Sequence, residues 1–349
     1  MKRIAISSLN QFVLDVLDQC GVSDDDARAT AEVLVTTDTW GVFTHGTKAL
    51  RGYAKRLRAG GLNPKGRPVV ETEGPAWARV NGNSSLGMVT SIFAMKCAME
   101  KARTTGVALV TVRNSCHFGA AGYYVHLATR ERMIGFAMAN DVPSVAAPGS
   151  KGPVLGSNPF AFGAPAEACP PMMLDISTAV VAGGKIKSAI AEGRPILADW
   201  LVDSEGRPTT DGHLYPDHAS LNPMAGHKGY GLALMIEILS GPLSGAAVRD
   251  KVGSWIGDDP ALPTDHGHAF LAIDPATITG GNDFPGDMTS LIRGIKKIPV
   301  VPEAGALKIP GEIEHRKGEE AGAEGIPLPE DVWESLRGAA TDASVPLPV

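Results

Sequence analysis

Two histidines, His45 and His117, are the residues of this sequence best suited to chemistry. His45 lies in the run THG at 44–46, and His117 lies in the run NSCHFG at 114–119. Each comes where an apolar or amphipathic stretch gives way to glycine, and neither falls on a regular apolar face. A histidine titrates near neutral pH, so it can both give and take a proton under working conditions. The pair therefore predicts acid/base chemistry on a small molecule, with His45 the first candidate and His117 the second.

Asp175 is a third candidate, because it lies near the end of the apolar run MMLDI at 172–176, which Ser177 follows. A carboxylate at this place could orient a histidine or accept a hydrogen bond from a ribose hydroxyl. It could equally cap the next element through local hydrogen bonds. The residues alone leave both interpretations open.

The usual nucleotide-binding loops are missing from the sequence. It contains no GxGxxG fingerprint and no Walker A pattern, since Gly184 and Lys185 are followed by Ile186. Three other loops join small residues to hydrogen-bonding groups: GSNP at 156–159, HKGYG at 227–231 and PGE at 310–312. Lys228 precedes an expected helix start, where backbone N–H groups attract phosphate. Taken singly, each loop also fits an ordinary turn.

Composition and charge argue against several classes of protein. The 349 residues carry a net charge of -6 without a basic block, which argues against a nucleic-acid partner. No run approaches the roughly 18–20 apolar residues of a membrane span, and the first residues lack the apolar core of a signal peptide. The four cysteines have no CxxC spacing, so reduced thiols are expected. Together these features predict a cytoplasmic protein without a membrane partner.

Two further kinds of site were considered. His266 and His268 invite a metal hypothesis, but no HExxH motif or cysteine pair accompanies them, so we expect exposed loop histidines and no metal. Cys116 next to His117 raises a Cys-His hydrolase as an alternative of a different class. Neighbouring residues in an extended chain point to opposite faces, which makes a poor nucleophile–base pair. A ligand-binding protein without catalysis is the third alternative.

The periodicity predicts a mixed α/β fold. Helical spacing is found within 7–60, where Ser23 offers an N-cap, and in five later segments: 86–103, 123–132, 229–239 (as a buried helix), 288–296 and 330–340. Runs typical of buried strands lie at 107–112, 134–139, 172–176 and 269–273. The pattern within residues 67–83 predicts extended segments, and Asn81-Gly82 predicts a hairpin or turn at their end.

Taken together, the motifs resemble those of the type-2 malate/L-lactate dehydrogenase family, also called the sulfolactate, malate and ureidoglycolate dehydrogenase family. The family pattern SHGxxxLxxY appears with Thr44, His45, Gly46, Leu50 and Tyr53, and NSxHFGxAGYY is matched in full at 114–124. LGTNP corresponds to LGSNP at 155–159, and LDIATS to LDISTA at 174–179. Segments 206–211, 226–232 and 310–312 also fit. The resemblance extends from about residue 8 to about residue 340.

The resemblance implies an NAD(P)-dependent oxidoreductase that interconverts a 2-hydroxy acid and a 2-oxo acid; an NADPH-dependent reductase of a cyclic imino acid is the alternative. It implies a non-Rossmann α/β fold, with a central, largely antiparallel sheet domain for the cofactor and a helical domain formed from both termini. Residues 1–75 would form the N-terminal helical segment and 76–310 the sheet-rich part with the cofactor-binding region. Residues 311–349 would pack back on the helical domain. A homodimer is also implied.

The same positions define a set of expected site residues. The candidate catalytic residues are His45, His117 and Asp175. The candidate cofactor contacts, for NAD or NADP, are Asn140, Asp141, Ser157, Asn158, Asp175, Ile176, Ser177, His227, Lys228, Gly229, Pro310, Gly311 and Glu312. The candidate substrate contacts are Thr44, Lys48, Arg51, Tyr53 and His117.

One position departs from the family pattern in a way that bears on the substrate. Ala49 stands where many members have an arginine, a residue expected to grip the substrate carboxylate through two hydrogen bonds. Lys48 and Arg51 flank this position but point about 100° and 200° away from it on a helix. We therefore expect a preference for a monocarboxylate or a bulkier oxo or imino acid over a compact dicarboxylate.

Overall fold

The structure, a computed structural model, describes residues 2–348 and has the mixed α/β architecture that the sequence predicts. Eleven α-helices lie within this range. They are α1 (Ile6–Asp18), α2 (Asp24–Thr39), α3 (Leu50–Ala59), α4 (Gly87–Thr105), α5 (Ala121–Arg130), α6 (Gly183–Ala191), α7 (His227–Ser240), α8 (Pro275–Thr279), α9 (Phe284–Lys296), α10 (Glu312–Glu324) and α11 (Glu330–Ala343). None of the helices described is both long and apolar enough to traverse a bilayer.

Fourteen strands in the described range form three sheets. They are β1 (Lys2–Ile4), β2 (Val69–Gly74), β3 (Trp77–Asn81), β4 (Val107–Ser115), β5 (Ile134–Ala139), β6 (Val145–Ala146), β7 (Pro153–Leu155), β8 (Phe160–Ala164), β9 (Met172–Ile176), β10 (Leu201–Asp203), β11 (Pro208–Thr209), β12 (Ala219–Leu221), β13 (His266–Ile273) and β14 (Ile326–Leu328). The largest sheet has the order β2-β3-β4-β13-β5-β8-β9. Its neighbours pair antiparallel except β3 and β4, which are parallel.

The middle strands of the central sheet, among them β4, β13 and β5, are covered on both faces, which explains why they are largely apolar. Phe270 of β13 joins the main core on the side of α4 and α5. Its neighbour Ala269 points the other way and packs with Met138 and with Ile236 of α7. This alternation is the period of two expected of a strand, here with both faces buried.

The register brings the candidate site residues to one edge of this sheet. β4 and β5 are both antiparallel to β13, so their carboxyl ends lie beside its first residue, His266. β8 begins and β9 ends at the same edge, where Phe160 pairs with Ile176. The segments that follow β4, β5 and β9 therefore meet there, and they carry His117, Asp141 and Ser177.

Helices from both ends of the chain lie beside this edge. Ser23 caps α2 by accepting a hydrogen bond from the backbone N–H of Asp26, as its position predicts. The strands β1 and β14 pair antiparallel, with Ile4 opposite Ile326. Helix α11 packs against α3 and against the short 3₁₀ turn Thr47–Ala49. The chain termini thus support the segment that carries His45.

A smaller sheet, in the order β11-β10-β12-β6-β7, forms a second layer with α6. It has a core of its own, in which Ile186 of α6 packs with Val145, Leu201 and Leu221. This layer places the first turn of α6 along the cleft described below.

Some details differ from the expectations. Asn81-Gly82 ends β3, whereas the hairpin turn between β2 and β3 lies at residues 75–76. Helix α10 has no predicted counterpart. Helix α7 is not buried all round, because Leu234, Met235 and Ile238 are 39%, 42% and 51% exposed.

Candidate active site

A large cleft separates the start of α6 from α3 and from the edge of the central sheet. Its volume is about 1870 Å³, whereas pockets for a single small molecule measure roughly 300–1,000 Å³. Its walls come from the turn with His45, the segment after β4 with His117, the ends of β5 and β9, and residues 254–260 and 308–311. The space is sufficient for a dinucleotide and a small substrate together.

His117 is held firmly in the wall of this cleft. Its Nδ1 is 2.6 Å from the hydroxyl oxygen of Tyr53, a fully buried residue of α3. One face of the imidazole stacks on the indole of Trp255, with 4.3 Å between ring centroids. Its Nε2 makes no hydrogen bond with any described residue and is not sealed from solvent, so it is open to the cleft.

The surroundings of His117 keep its ring neutral. Burial lowers its pKa well below the usual 6.5, and the neighbouring His45, His266 and His268 lower it further. Burial also raises the pKa of Tyr53 well above 10, so its hydroxyl stays protonated. A tyrosine oxygen can both donate and accept, and can therefore serve either tautomer of the histidine.

His45 lies beside His117, with 5.6 Å between the ring centroids. It ends a 3₁₀ turn, Phe43–His45, and its Nδ1 is 2.8 Å from Oγ1 of Thr44. Burial lowers its pKa, and the charge of Asp141 partly opposes that effect. Its Nε2, like that of His117, is without a hydrogen-bond partner among the described residues and open to the cleft. The sequence thus brings together two neutral imidazoles that are 72 residues apart.

A buried carboxyl group supports the turn that carries His45. Oδ2 of Asp38 accepts hydrogen bonds from the backbone N–H and from the hydroxyl of Thr47, at 3.1 Å and 2.5 Å. Gly46 passes so close that a β-carbon there would lie 1.8 Å from Oδ1 of Asp38. Burial raises the pKa of Asp38 to about 7. The glycine of the THG run is thus required by close approach to this carboxyl group.

Asp175 lies in β9 and opens into the cleft, but it does not orient either histidine. Its Oδ2 accepts a hydrogen bond of 2.7 Å from the backbone N–H of Gly122, in the first turn of α5. Desolvation by the surrounding protein raises the pKa of Asp175 to about 6, and the charge of nearby Glu314 acts in the same direction. The residues that hold the imidazoles are Tyr53 and Thr44, so the histidine-orienting interpretation of Asp175 has no hydrogen bond to support it.

His266 and His268 are buried on β13, so the expectation that they are exposed loop histidines is wrong. Nδ1 of His266 is 2.9 Å from Oγ1 of Thr264, and its Nε2 is 3.3 Å from Oδ1 of Asp141. His268 stacks on Phe118, and burial lowers its pKa to about 3. Their alternation with Gly267 directly before a strand-like run is the signal that could have placed them in the strand.

The expected cofactor contacts fall into two groups. Eight of them line the cleft: Asn140, Asp141, Ser157, Asp175, Ile176, Ser177, Pro310 and Gly311. The others lie elsewhere in the described structure: Asn158 is buried and bonds to the backbone N–H of Asp141, Glu312 pairs with Lys296, and His227, Lys228 and Gly229 begin α7 outside the cleft lining.

Four of the five expected substrate contacts, Thr44, Lys48, Arg51 and His117, line the cleft, whereas Tyr53 is fully buried and its hydroxyl is bonded to His117. The two cations among them are paired with carboxylates. Nζ of Lys48 is 2.6 Å from Asp331, and Nε of Arg51 is 2.7 Å from Asp342, both on α11. Ala49 lines the cleft between them. Both flanking cations are thus paired with carboxylates of α11.

Other groups in the cleft suit anionic ligands. The first turn of α10 borders the cleft but carries the acidic Glu312 and Glu314, whereas the first turn of α6 has no acidic residue and is not capped by the side chain of its N-cap residue. Helix starts like that of α6 attract phosphate and carboxylate groups. Lys185 and Lys308 also line the cleft and form no ion pair within the described range. This donor set fits a nicotinamide dinucleotide and a carboxylate substrate. Within residues 2–348, no cluster of three metal-ligating side chains is found.

Comparisons of the sequence and of the fold with known proteins point to one family. A family model described as malate/L-lactate dehydrogenase matches residues 4–337. The chain is 36% identical to a malate/(S)-sulfolactate dehydrogenase of Methanothermus fervidus, over 96% of each chain. It is 33% identical to a ureidoglycolate dehydrogenase (NAD(+)) of Escherichia coli K12, over 96% of this chain and 95% of that one.

A solved structure resembles the whole chain. The malate dehydrogenase of Entamoeba histolytica superposes with a TM-score of 0.92 at 30% identity, covering 100% of this chain and 99% of the other. Relatives act with NAD or with NADP, which confirms the predicted cofactor class. The chain belongs to the malate/L-lactate dehydrogenase family, and it is an oxidoreductase that acts on the CH–OH group of hydroxy acids.

Proposed function

We propose that this enzyme interconverts a 2-hydroxy acid and a 2-oxo acid with His117 as the proton donor and acceptor. One observation carries the assignment: Nδ1 of His117 is fixed by Tyr53 at 2.6 Å, while Nε2 is open to the cleft. A base that is oriented by a third group is the usual arrangement for acid/base catalysis. His45 has the adjacent Thr44 as its only hydrogen-bond partner within residues 2–348, so it is less firmly oriented.

In the oxidation of a hydroxy acid, Nε2 of neutral His117 accepts the hydroxyl proton. The lowered pKa means that the ring is ready as a base at neutral pH. When the ring becomes charged, its Nδ1–H donates to the oxygen of Tyr53. In the reverse direction Nε2–H gives its proton to the developing alkoxide. The nicotinamide, when bound, supplies or accepts the hydride at C2 of the substrate.

We assign His45 to the recognition of a substrate oxygen. Its Nε2 also faces the cleft, 5.6 Å ring to ring from His117, so one small molecule can contact both imidazoles. The lowered pKa makes His45 a neutral hydrogen-bonding group near pH 7. Such a group orients a carbonyl or hydroxyl oxygen without forming a strong ion pair.

The cofactor is proposed to lie along the edge of the central sheet, without a Rossmann domain. Asp141, the turn at Ser177 and the loop at Gly311 would hold it, because these backbone segments meet at the cleft. The sheet in that region is antiparallel, which supports a binding mode other than the parallel Rossmann arrangement. The contacts predicted for 227–229 and the division of the chain at residues 75 and 310 remain predictions.

The substrate is proposed to be a monocarboxylate or a bulkier acid. Ala49 offers no charge, and the cations on either side of it are paired with α11. The start of α6 lies beside Thr44, since a β-carbon at Gly184 would be 3.8 Å from Cγ2 of Thr44. Lys185 in this turn is the candidate anchor for the one carboxylate.

We also propose a cytoplasmic homodimer. Helix α7 exposes the stripe Leu234, Met235 and Ile238, an apolar surface that a second copy would cover. The four cysteines are free thiols, which suits a reducing compartment. A sedimentation mass near 36.4 kDa, that of one chain, would contradict the dimer.

An initial-rate screen tests the proposed function. Purified enzyme is supplied with NADH or NADPH and a panel of 2-oxo acids and cyclic imino acids, and the reverse reaction is followed with the matching hydroxy acids. We expect turnover with at least one 2-oxo acid and a loss of roughly two orders of magnitude or more in His117→Gln. The exposed His213, outside the cleft, gives the matched control His213→Gln. Equal activity of the two variants would exclude His117.

A further inference from the structure

Arg56 is an unusual residue for the interior of this protein. It belongs to α3, is only 2% exposed, and has no ion-pair partner within the described range. Buried charges are normally paired with an opposite charge. Arg56 instead donates to three backbone carbonyls of one segment: Nε to Trp255 at 2.7 Å, Nη1 to Leu262 at 2.8 Å and Nη2 to Ser254 at 2.5 Å.

The segment that Arg56 binds has no regular structure of its own. Residues 253–263 form turns and bends, with local bonds such as that from the N–H of Ser254 to Asp258. A second tie to the end of α3 is the bond from the N–H of Gly61 to the carbonyl of Pro260. Only a glycine fits there, because a β-carbon at position 61 would lie 2.3 Å from that oxygen. The position of the segment therefore depends on α3.

Helix α3 also forms the surface on which the indole of Trp255 packs. Trp255 stacks on Tyr53, with 5.1 Å between centroids, and on His117, at 4.3 Å. Gly52 leaves room for it, since a β-carbon at that position would be 3.0 Å from the indole. Residues 52, 53 and 56 lie within about one turn of α3. One surface of the helix thus provides the space, the stacking partner and the guanidinium.

We infer that Arg56 is a positioning residue for catalysis: by binding three carbonyls of residues 254–262 it holds the Trp255 indole against the His117 imidazole. The indole then fixes the plane of the ring and closes one of its faces to water and to substrate. Substrate can approach only from the side that Nε2 leaves open. This inference rests on the proposed role of His117 as the acid/base.

A consequence for pH dependence follows from the groups around His117. They are His45 from the 3₁₀ turn, Tyr53 from α3, and His266 and His268 from β13. All of them remain when Trp255 is removed, but the imidazole gains access to water. Because burial is the main cause that lowers its pKa, exposure raises that pKa. In hydroxy-acid oxidation, kcat/KM falls at low pH as the base becomes protonated, and this acid limb of the pH profile then moves to higher pH.

The test is a double-mutant cycle with Arg56→Lys and Trp255→Ala. A lysine keeps the charge, but its three donors diverge from a single nitrogen and do not match carbonyls that are spaced for the planar guanidinium. We expect each single variant to lose roughly 10- to 100-fold in kcat/KM, as for misplaced catalytic groups, and to shift the acid limb upward. The double variant should lose little more than Trp255→Ala alone, because Arg56 acts through the indole. Trp255→Phe, which keeps a stacking ring, should recover most of the activity.

Near-UV circular dichroism reports the seating of the indole independently of activity. Arg56→Lys should change the spectrum in the same bands as Trp255→Phe. Trp77 is exposed, so Trp77→Phe shows which bands come from an unrelated tryptophan. Additive losses in the cycle, or an unshifted pH profile in folded Trp255→Ala, would overturn the inference. If Arg56→Lys does not fold, Arg56→Gln takes its place in the cycle, and the near-UV spectrum of that folded variant reports whether the indole has moved. Failure of the proposed function shows separately, as full activity in His117→Gln.

Discussion

Tyr53→Phe removes one atom from the site and tests how His117 is held. The hydroxyl oxygen of Tyr53 is 2.6 Å from Nδ1 of His117 and is the only side-chain oxygen on that nitrogen among residues 2–348; the backbone N–H of Gly119 approaches the same nitrogen at 3.5 Å. The phenyl ring that remains can still stack on Trp255, 5.1 Å away. The substitution thus removes the hydrogen bond and leaves the packing in place.

The expected loss follows from the charge on the ring in the transition state. Without the tyrosine oxygen, the Nδ1–H of the charged imidazole has no side-chain acceptor in the part of the chain that the structure describes. A hydrogen bond to a charged group contributes about 1.5–3 kcal/mol, which corresponds to roughly 10- to 150-fold in rate. The loss also disfavours the charged form, so the pKa of His117 falls further below 6.5. The direction is opposite to that expected for Trp255→Ala.

The assay is kcat/KM for hydroxy-acid oxidation between about pH 4 and 9, with cofactor affinity measured separately by titration. Tyr123→Phe, a buried tyrosine that does not line the cleft, is the matched control. We expect Tyr53→Phe to lose rate at every pH while its cofactor affinity is unchanged. Activity within twofold of wild type, with the same acid limb, would refute the account of Tyr53.

Three further perturbations probe other parts of the site. His45→Asn should lower kcat/KM about tenfold or more while the acid limb of His117 persists; disappearance of that limb in this variant alone would transfer the acid/base role to His45. Asp38 has a pKa of about 7 in the fold against 3.8 as its ordinary value, so the folded state binds the extra proton and stability falls as pH rises between these values. Denaturant unfolding of Asp38→Asn should lack this decline, which amounts to about 4 kcal/mol at most; an equal slope in both proteins would contradict the buried acid. Ala49→Arg should raise kcat/KM for oxaloacetate relative to the preferred substrate in the initial-rate screen, and a wild type that already prefers oxaloacetate would show that the argument from Ala49 is wrong.

Much of the sheet could be predicted because several of its strands are continuous, largely apolar runs. The strands at Ile134–Ala139 and Met172–Ile176 have the predicted bounds. Helix α10 could not be found in this way, because Ala321 is its only buried residue and it has no apolar stripe. His266 and His268 were misplaced because the residues before them, rich in Asp, Pro and Gly, indicate a loop.

The site was predictable in its residue types more than in its contacts. His45, His117 and Tyr53 stand in motifs that can be recognised along the chain, but their mutual distances depend on how β4, α3 and the 3₁₀ turn pack. Arg56 and Trp255 carry no local signal, since their hydrogen bond spans 199 positions. In the sequence, nothing distinguishes Asp38 from other acidic residues near a helix end. Its burial and its close contact with Gly46 arise only in the folded structure.

The most direct test of the account is the pH dependence of kcat/KM for oxidation of the best hydroxy acid, in wild type and in His117→Gln. The structure predicts a wild-type acid limb with a pKa below 6.5, since burial and the neighbouring histidines oppose the charged ring. It predicts a variant at least roughly 100-fold slower and without that limb. A variant that keeps both the rate and the limb would contradict the assignment of proton transfer to His117.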